Sequence, residues 1–365
     1  MKGADGKAAD CSDPRGAVAT RLTRVLAAVC PAGARLGLAV SGGRDSVGLL
    51  AGALEAGLGP RCELLHVHHG TGAFADRACE LVRRHAETHG LHCSVARLGS
   101  TVPPSETRLR AARLDALDRL AAAAGLDVVV LAQHAADRRE GVALHLLRGH
   151  RGPRALAGMP CLRPLGSGRR LLRPLLAESP ALEPAALADA GRLFEHVDDP
   201  SNADSGIPRN AVRAWLAQPA NAAWSARLER LSARARRDLR DLRDELVRRL
   251  AVELSACGRG ARVGRAALVA PASCASLSWL AELLRLVTAC LAAPCRPRLT
   301  HGALLSLERD LANPRGTRRT LAASPRELAL ELRRDGLHLP HAALADVDPR
   351  ARLLGGLARL PWESP

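Results

Sequence analysis

The 365-residue sequence contains no tyrosine and only 2 phenylalanines, and its lysines are confined to Lys2 and Lys7. Arginine therefore carries almost all of the positive charge, a coding-level bias that weakens any claim that a single arginine is there for bidentate recognition. CxxC pairs are missing too. The 10 cysteines are scattered, with Cys290 and Cys295 the closest two, so neither a disulfide framework nor a structural zinc site is favoured. No stretch approaches the roughly 18 apolar residues that a membrane span needs. The first residues, with Asp5, Asp10 and Asp13 and no apolar run, do not read as a signal peptide, and the expected compartment is a reducing cytoplasm.

What is present is an ordinary soluble composition, 47% hydrophobic and 25% charged, in a chain long enough for two domains. The net charge of +16 implies a polyanionic partner, of which nucleic acid is the commonest. Residues 221–365 hold 25 of the 53 basic residues but 15 of the 37 acidic ones, so the excess is concentrated towards the C-terminus.

The feature that organises the chain is SGGRDS, Ser41 to Ser46, between the apolar run 35–40 and the helix-like run 47–51. Gly42 and Gly43 let the backbone approach an anion, and the N–H groups opening the next helix point at it. Ser41 and Ser46 add hydroxyls, Arg44 fills the variable position, and Asp45 offers a carboxylate suited to magnesium among phosphate oxygens. The spacing is neither GxxxxGK[ST] nor GxGxxG.

Further apolar runs at 62–67, 93–98 and 127–132 alternate with helical patterns at 74–89, 105–124 and 137–147, which predicts an α/β fold with a doubly wound parallel sheet. Ligands in such sheets bind where strand order reverses, beyond the strands' carboxyl ends. Polar residues gather at those positions: His66 and His68 in HVHHG, expected at the rim of a nucleotide pocket, and Gln133, His134, Asp137 and Glu140 after the fourth strand. Asp137 and Glu140 share a helical face, a pair suited to binding metal or deprotonating an amine, while Asp137 also suits helix capping. Arg110 and Arg113 share a face of the preceding helix. A Gly/Pro/Arg-rich loop follows to about Arg173, then the turn segment DPSN with Arg209, Asn210 and Arg213 behind it. Leucine and alanine recur every three or four residues from Trp224 to Leu254, predicting a long linking helix, and short helices are expected from 258 to about 339, including a final Arg-rich segment.

Taken in order, SGGRDS, HVHHG, Glu106 with Arg110 and Arg113, His134 with Asp137 and Glu140, LLRG, LAGMP, RPLL and DPSN…RNAVR resemble the bacterial tRNA(Ile)-lysidine synthetase family of PP-loop ATP pyrophosphatases. The resemblance implies a tail at 1–16, a catalytic PP-loop domain at 17–220, a linking helix at 221–257 and a basic, mainly helical tRNA-binding domain at 258–365. It implies ATP and magnesium as cofactors, free L-lysine and an isoleucine tRNA with a CAU anticodon as partners, and a ligase that adenylates the wobble cytidine before lysine displaces AMP. A homodimer is admissible. By the same resemblance Ser41, Gly42, Gly43, Arg44, Asp45, Ser46, His68 and His134 would bind nucleotide. Asp45, Arg110, Arg113, Asp137 and Glu140 would act in catalysis, with Asp45 and Asp137 on magnesium. The chain departs from the family's HxDDQxET at Ala136, Arg138 and Gly141, from its Leu-Arg after HVHHG at Thr71 and Gly72, and from its aromatic at Leu114. The alternatives are a PP-loop tRNA thiolase, whose CxxC pairs are absent here, and a relative that keeps RNA binding without the reaction.

Overall fold

The structure is a computed structural model. It describes residues 13–70, 72–98, 106–150, 152–165, 168–176, 184–204, 206–257, 260–272, 274–291, 296–297, 299–312, 317–321, 323–324 and 328–339. The expected tail, all but its last residues, lies outside them. The chain forms two compact units, residues 1–149 with 158–229 and 361–365, and residues 150–157 with 230–360.

The first unit opens with α1 (Pro14–Val29), which starts where Asp13 caps it through the Arg15 N–H and proline occupies the first turn. Then come β1 (Leu36–Ala39), α2 (Arg44–Glu55), β2 (Cys62–His68), α3 (Ala73–Thr88), β3 (His92–Arg97), α4 (Glu106–Ala123), β4 (Val128–Val130) and α5 (Ala135–Leu147). After α6 (Pro153–Ala157) of the second unit, β5 (Leu162–Pro164) and β6 (Arg170–Leu172) form a hairpin inside the segment expected to be a loop, and α7 (Pro184–Arg192) and α8 (Pro208–Ala217) follow.

The sheet order is β3-β2-β1-β4-β6-β5, parallel except for β5 at the edge, and the order reverses between β1 and β4. Side chains alternating along the strands build two cores. Leu36, Leu38, Leu64, Val128 and Val130 pack with Val18, Val47, Val82 and Leu187 of α1, α2, α3 and α7. Leu65, Val67 and Val129 pack with Ala116, Leu117 and Ala121 of α4. Two glycines bring α2 and α7 together: a Cβ on Gly48 would lie 2.3 Å from the Leu187 carbonyl oxygen, and one on Gly191 2.2 Å from that of Arg44.

The helix α9 (Ala222–Glu253) is as long as its periodicity predicts, with Leu239, Leu242, Leu246 and Leu250 buried. Beyond it, β7 (Leu254–Cys257), β8 (Gly260–Gly264), α10 (Arg265–Leu268), α11 (Ser276–Leu291), β9 (Arg296–Pro297), α12 (His301–Ala312), β10 (Thr317–Leu321), β11 (Ala323–Ser324), β12 (Leu328–Arg333) and β13 (Gly336–Leu339) complete the described chain. Helices predominate in the second unit, as expected. The Arg-rich segment, however, is not helical: β10, β12 and β13 join β8 and β7 in an antiparallel sheet. No helix among the described residues is long and apolar enough to cross a membrane.

Candidate active site

The site lies at the carboxyl ends of β1 and β4, at the reversal of strand order where an α/β sheet opens a crevice. Past β1 the chain turns at Gly42, whose φ of 87° suits glycine and where a Cβ would be crowded by Val197 (3.2 Å) and Ala78 (3.3 Å). Gly43 is the N-cap of α2 and has no side chain to cap it, so the first N–H groups of that helix are left for an anion. The loop is rigidified from within. Ser46 Oγ accepts from the Ser41 N–H (3.1 Å) and donates to the Gly43 carbonyl (2.7 Å), and the Ser41 hydroxyl lies 3.1 Å from it. From outside, the Val197 N–H donates to the Gly42 carbonyl at 2.9 Å. Arg44 is exposed, and its charge helps to keep Asp45 ionised.

Asp45, in the first turn of α2, has Oδ2 3.4 Å from Nε2 of His134. His134 is the N-cap of α5: its Nδ1 accepts from the Ala136 N–H at 3.2 Å, and its own N–H donates to Asp137 Oδ2 at 3.0 Å. An Nδ1 that accepts carries no proton, so the ring proton sits on Nε2, facing Asp45 and, 3.7 Å away, Asp137. Burial disfavours charge on both groups. It is outweighed by their mutual hydrogen bond and attraction, which holds the Asp45 carboxyl below the ordinary range and raises the His134 imidazole.

The two arginines of RNAVR close this row from α8. Arg209 donates to Asp137 Oδ1 (2.7 Å) and Glu140 Oε2 (2.9 Å), and Arg213 donates to Glu140 Oε1 from Nε (2.8 Å) and to Oε2 from Nη2 (3.2 Å). These contacts bear on the expected roles of two carboxylates. Glu140 is buried and engaged by both guanidinium groups, whereas Asp137 accepts one hydrogen bond on each oxygen and still lines the site's cavity. Asp45, with 45% of its side chain exposed, is the carboxylate that fits magnesium, which needs one such ligand alongside phosphate oxygens. Among the described residues no group of three or more acidic, histidine or cysteine side chains is arranged so that it could by itself hold a metal ion. Asn210, between the arginines, donates to the Ser201 (2.7 Å) and Asp204 (3.0 Å) carbonyls, and so holds the DPSN segment against α8.

A cavity of about 230 Å³ opens here, lined by Ser41, Asp45, Ser46, His69, Arg113, Gln133, Asp137 and Arg209 with apolar residues of β1, β2 and β4. Arg113 reaches it from α4 with a buried Nε that has no hydrogen-bond partner, and burial, then Arg110 and Arg209, push its guanidinium downward. Arg110 is close enough to act on that charge but does not line the cavity. His68, expected at the nucleotide rim, is on the other face of the sheet. It is buried, with Nε2 3.0 Å from Asp76 Oδ1 and Nδ1 accepting from the Gly70 N–H. His69 takes its place, its imidazole pushed below the ordinary value by burial and by Arg113. His66 is also turned away, with Nδ1 on the Val40 carbonyl at 2.9 Å. Period-two alternation puts a strand's second histidine on the same face as its first, and the residue beyond it on the other.

A doubly wound sheet with an uncapped glycine loop, a carboxylate and buried guanidinium groups at its switch point defines a protein that binds a phosphorylated ligand. The family model described as PP-loop domain matches residues 15–220, more than half of the sequence, and the chain belongs to that family. The tRNA(Ile)-lysidine synthase of Bordetella bronchiseptica is 42% identical over 212 residues, covering 54% of this chain and 59% of that protein. That of Bordetella pertussis is 40% identical over 216 residues (56% and 64%), and that of Pseudomonas aeruginosa 39% over 227 residues (60% and 49%). The chain thus spans between about half and two thirds of the length of these relatives. The solved U34-tRNA thiolase NcsA of Methanococcus maripaludis aligns with 15% identity and a TM-score of 0.45, over 60% of this chain and 77% of that one.

Proposed function

We propose that this protein attaches lysine, through its side-chain amine, to C2 of the wobble cytidine of an isoleucine tRNA with a CAU anticodon, at the expense of ATP and in the cytoplasm. In the first step cytidine O2 attacks the α phosphorus and pyrophosphate leaves. In the second the lysine amine attacks C2, and the C2–O2 bond breaks to release AMP. The observation that carries this reading is the row Asp45, His134, Asp137 set directly beside the uncapped SGGRDS loop, with Arg113 across the cleft. The similarity to lysidine synthases at 39–42% identity supports the choice of substrates.

The loop N–H groups and the Ser41 hydroxyl bind the triphosphate, Ser46 holds the loop in shape through the Gly43 carbonyl and the Ser41 N–H, and Arg113 stabilises charge on the adenylate. Magnesium on Asp45 would supply charge neutralisation for the leaving pyrophosphate. Arg209 and Arg213 act through Asp137 and Glu140: they fix the start of α5, and with it the aim of His134. Residues 17–220 then carry the chemistry, the linking helix joins them to the rest, and the basic residues from 258 onward grip the tRNA body by phosphate contacts.

The test is incubation of the full chain with a CAU-anticodon isoleucine tRNA transcript, ATP, magnesium and labelled lysine. Label enters the RNA with the wild-type protein and not with Asp45→Asn. A wild-type protein that binds this tRNA without incorporating label overturns the reading.

A further inference from the structure

Four tryptophans and 2 phenylalanines are all the large aromatics this chain has, and two of the tryptophans stand exposed side by side. Trp215, on α8, is 42% exposed and Trp224, in the first turn of α9, 49%. Their ring centroids are 6.1 Å apart at 52°. The pairing is held by the turn between the helices: Asn221 Nδ2 donates to the Trp215 carbonyl (2.9 Å) and the Gln218 N–H to the same oxygen (3.3 Å). One turn along α9 the guanidinium of Arg227 lies over the Trp224 ring, 5.3 Å from its centroid, and it has no carboxylate partner among the described residues. By contrast Trp279 is fully buried and donates its ring N–H to the Ala267 carbonyl.

Exposed indoles cost solvation and are uncommon on a surface without a use for them. Two aromatic faces joined by an unpaired cation are the recognition chemistry of an unstacked base on its phosphate chain, because every base offers a π-face and the guanidinium meets the phosphate. The platform stands on the same helix as the site's arginines: Trp215 follows Arg213, which is bound to Glu140, by two residues, about 3 Å along the axis of α8 and about 200° around it, so it projects beside the cleft and not into it. We infer that Trp215, Trp224 and Arg227 form a stacking platform for an unpaired base of the RNA, one that flanks the reacting cytidine in the anticodon loop. This rests on the RNA-substrate reading above and adds to it the element that holds the loop open. Single-stranded loops are the parts of an RNA whose bases can be splayed onto aromatic side chains.

The test uses the full chain and two RNAs, an anticodon-arm hairpin with the CAU loop and a fully paired duplex of the same stem. Trp215→Ala with Trp224→Ala weakens hairpin binding by about 5- to 150-fold, leaves duplex binding and ATP affinity unchanged, and the corresponding Phe pair restores most of the loss. Hairpin, but not duplex, also quenches the wild-type tryptophan fluorescence, a readout that needs no variant. The platform is overturned if the Ala pair binds hairpin as the wild type does, if hairpin and duplex are lost equally, or if the Ala pair alters self-association and leaves hairpin binding intact. A wild-type protein that transfers lysine and is unaffected by the Ala pair overturns the platform alone, whereas a wild-type protein that binds neither RNA overturns the substrate reading with it.

Discussion

Replacing Gly191 by alanine should destabilise the first unit although alanine is the better helix former. In a helix interior the exchange ordinarily gains about 0.5–1 kcal/mol. At Gly191 the new methyl would lie 2.2 Å from the Arg44 carbonyl oxygen and 3.0 Å from its carbon, whereas ordinary contact begins near 3.4 Å. These are backbone atoms and no rotamer can move them aside, so α7 and the first turn of α2 must part by about 1 Å. Overpacking of this kind costs about 1–3 kcal/mol, which exceeds the propensity gain and leaves the variant roughly 1–2 kcal/mol less stable. The part of α2 that moves is the part that presents the phosphate loop, and a displacement of about 1 Å at a reacting centre can cost around a hundredfold in rate. Gly141 in α5 is the control, because a Cβ there meets nothing within 4 Å. Gly141→Ala should therefore be about 0.5–1 kcal/mol more stable than wild type. Urea denaturation followed by circular dichroism, together with ATP affinity, checks both variants. A Gly191→Ala protein as stable as Gly141→Ala, with unchanged ATP affinity, would refute the reasoning.

Other expectations follow from single contacts. Asn210→Ala deletes the two donations that hold the Ser201 and Asp204 carbonyls, and should cost about 1–2 kcal/mol in thermal unfolding together with faster proteolysis at the DPSN segment. In the second unit, Glu282 is buried among Arg243 (2.7 Å), Arg154 (3.2 Å) and Arg285 (3.4 Å). Burial opposes its charge, but the three arginines outweigh burial and hold its carboxyl below the ordinary value. A carboxylate depressed in the native state contributes stability that is complete above its unfolded value, about 4.3, and is lost as pH falls through the native value. Glu282→Gln should thus cost about 3–5 kcal/mol at pH 7 and lose less stability than the wild type when the pH is lowered past 4. Equal slopes for the two proteins would remove the ion cluster from the account.

The strand–SGGRDS–helix unit could be read from the sequence because each of its parts is local: an apolar run, two glycines and a helix-forming run within about fifteen residues of one another. The sheet's strand order and its switch point follow from the same alternation. The engagement of Asp137 and Glu140 could not be read in that way, since their partners Arg209 and Arg213 lie 69 to 73 residues further along the chain. A signal for it was present even so: two arginines four apart on a short helix share one face, as do Asp137 and Glu140. His68 faces away from the cavity for a simpler reason. With HVHHG on a strand, facing is decided by parity, and it is His69, odd like Leu65 and Val67, that faces α4 and the cavity. The C-terminal sheet was hidden by composition. Leu328, Leu330 and Leu332 alternate with Ala329, Glu331 and Arg333 in β12, a period of two that the surrounding arginines obscure.

The most direct measurement of the central claim is mass spectrometry of the wobble nucleotide after the CAU isoleucine tRNA has been incubated with the protein, ATP, magnesium and lysine. The account predicts a cytidine carrying lysine at C2, formed together with equal amounts of AMP and pyrophosphate and absent with Asp45→Asn. A sulfur-bearing cytidine, or an unmodified one on tRNA that the protein demonstrably binds, would contradict it.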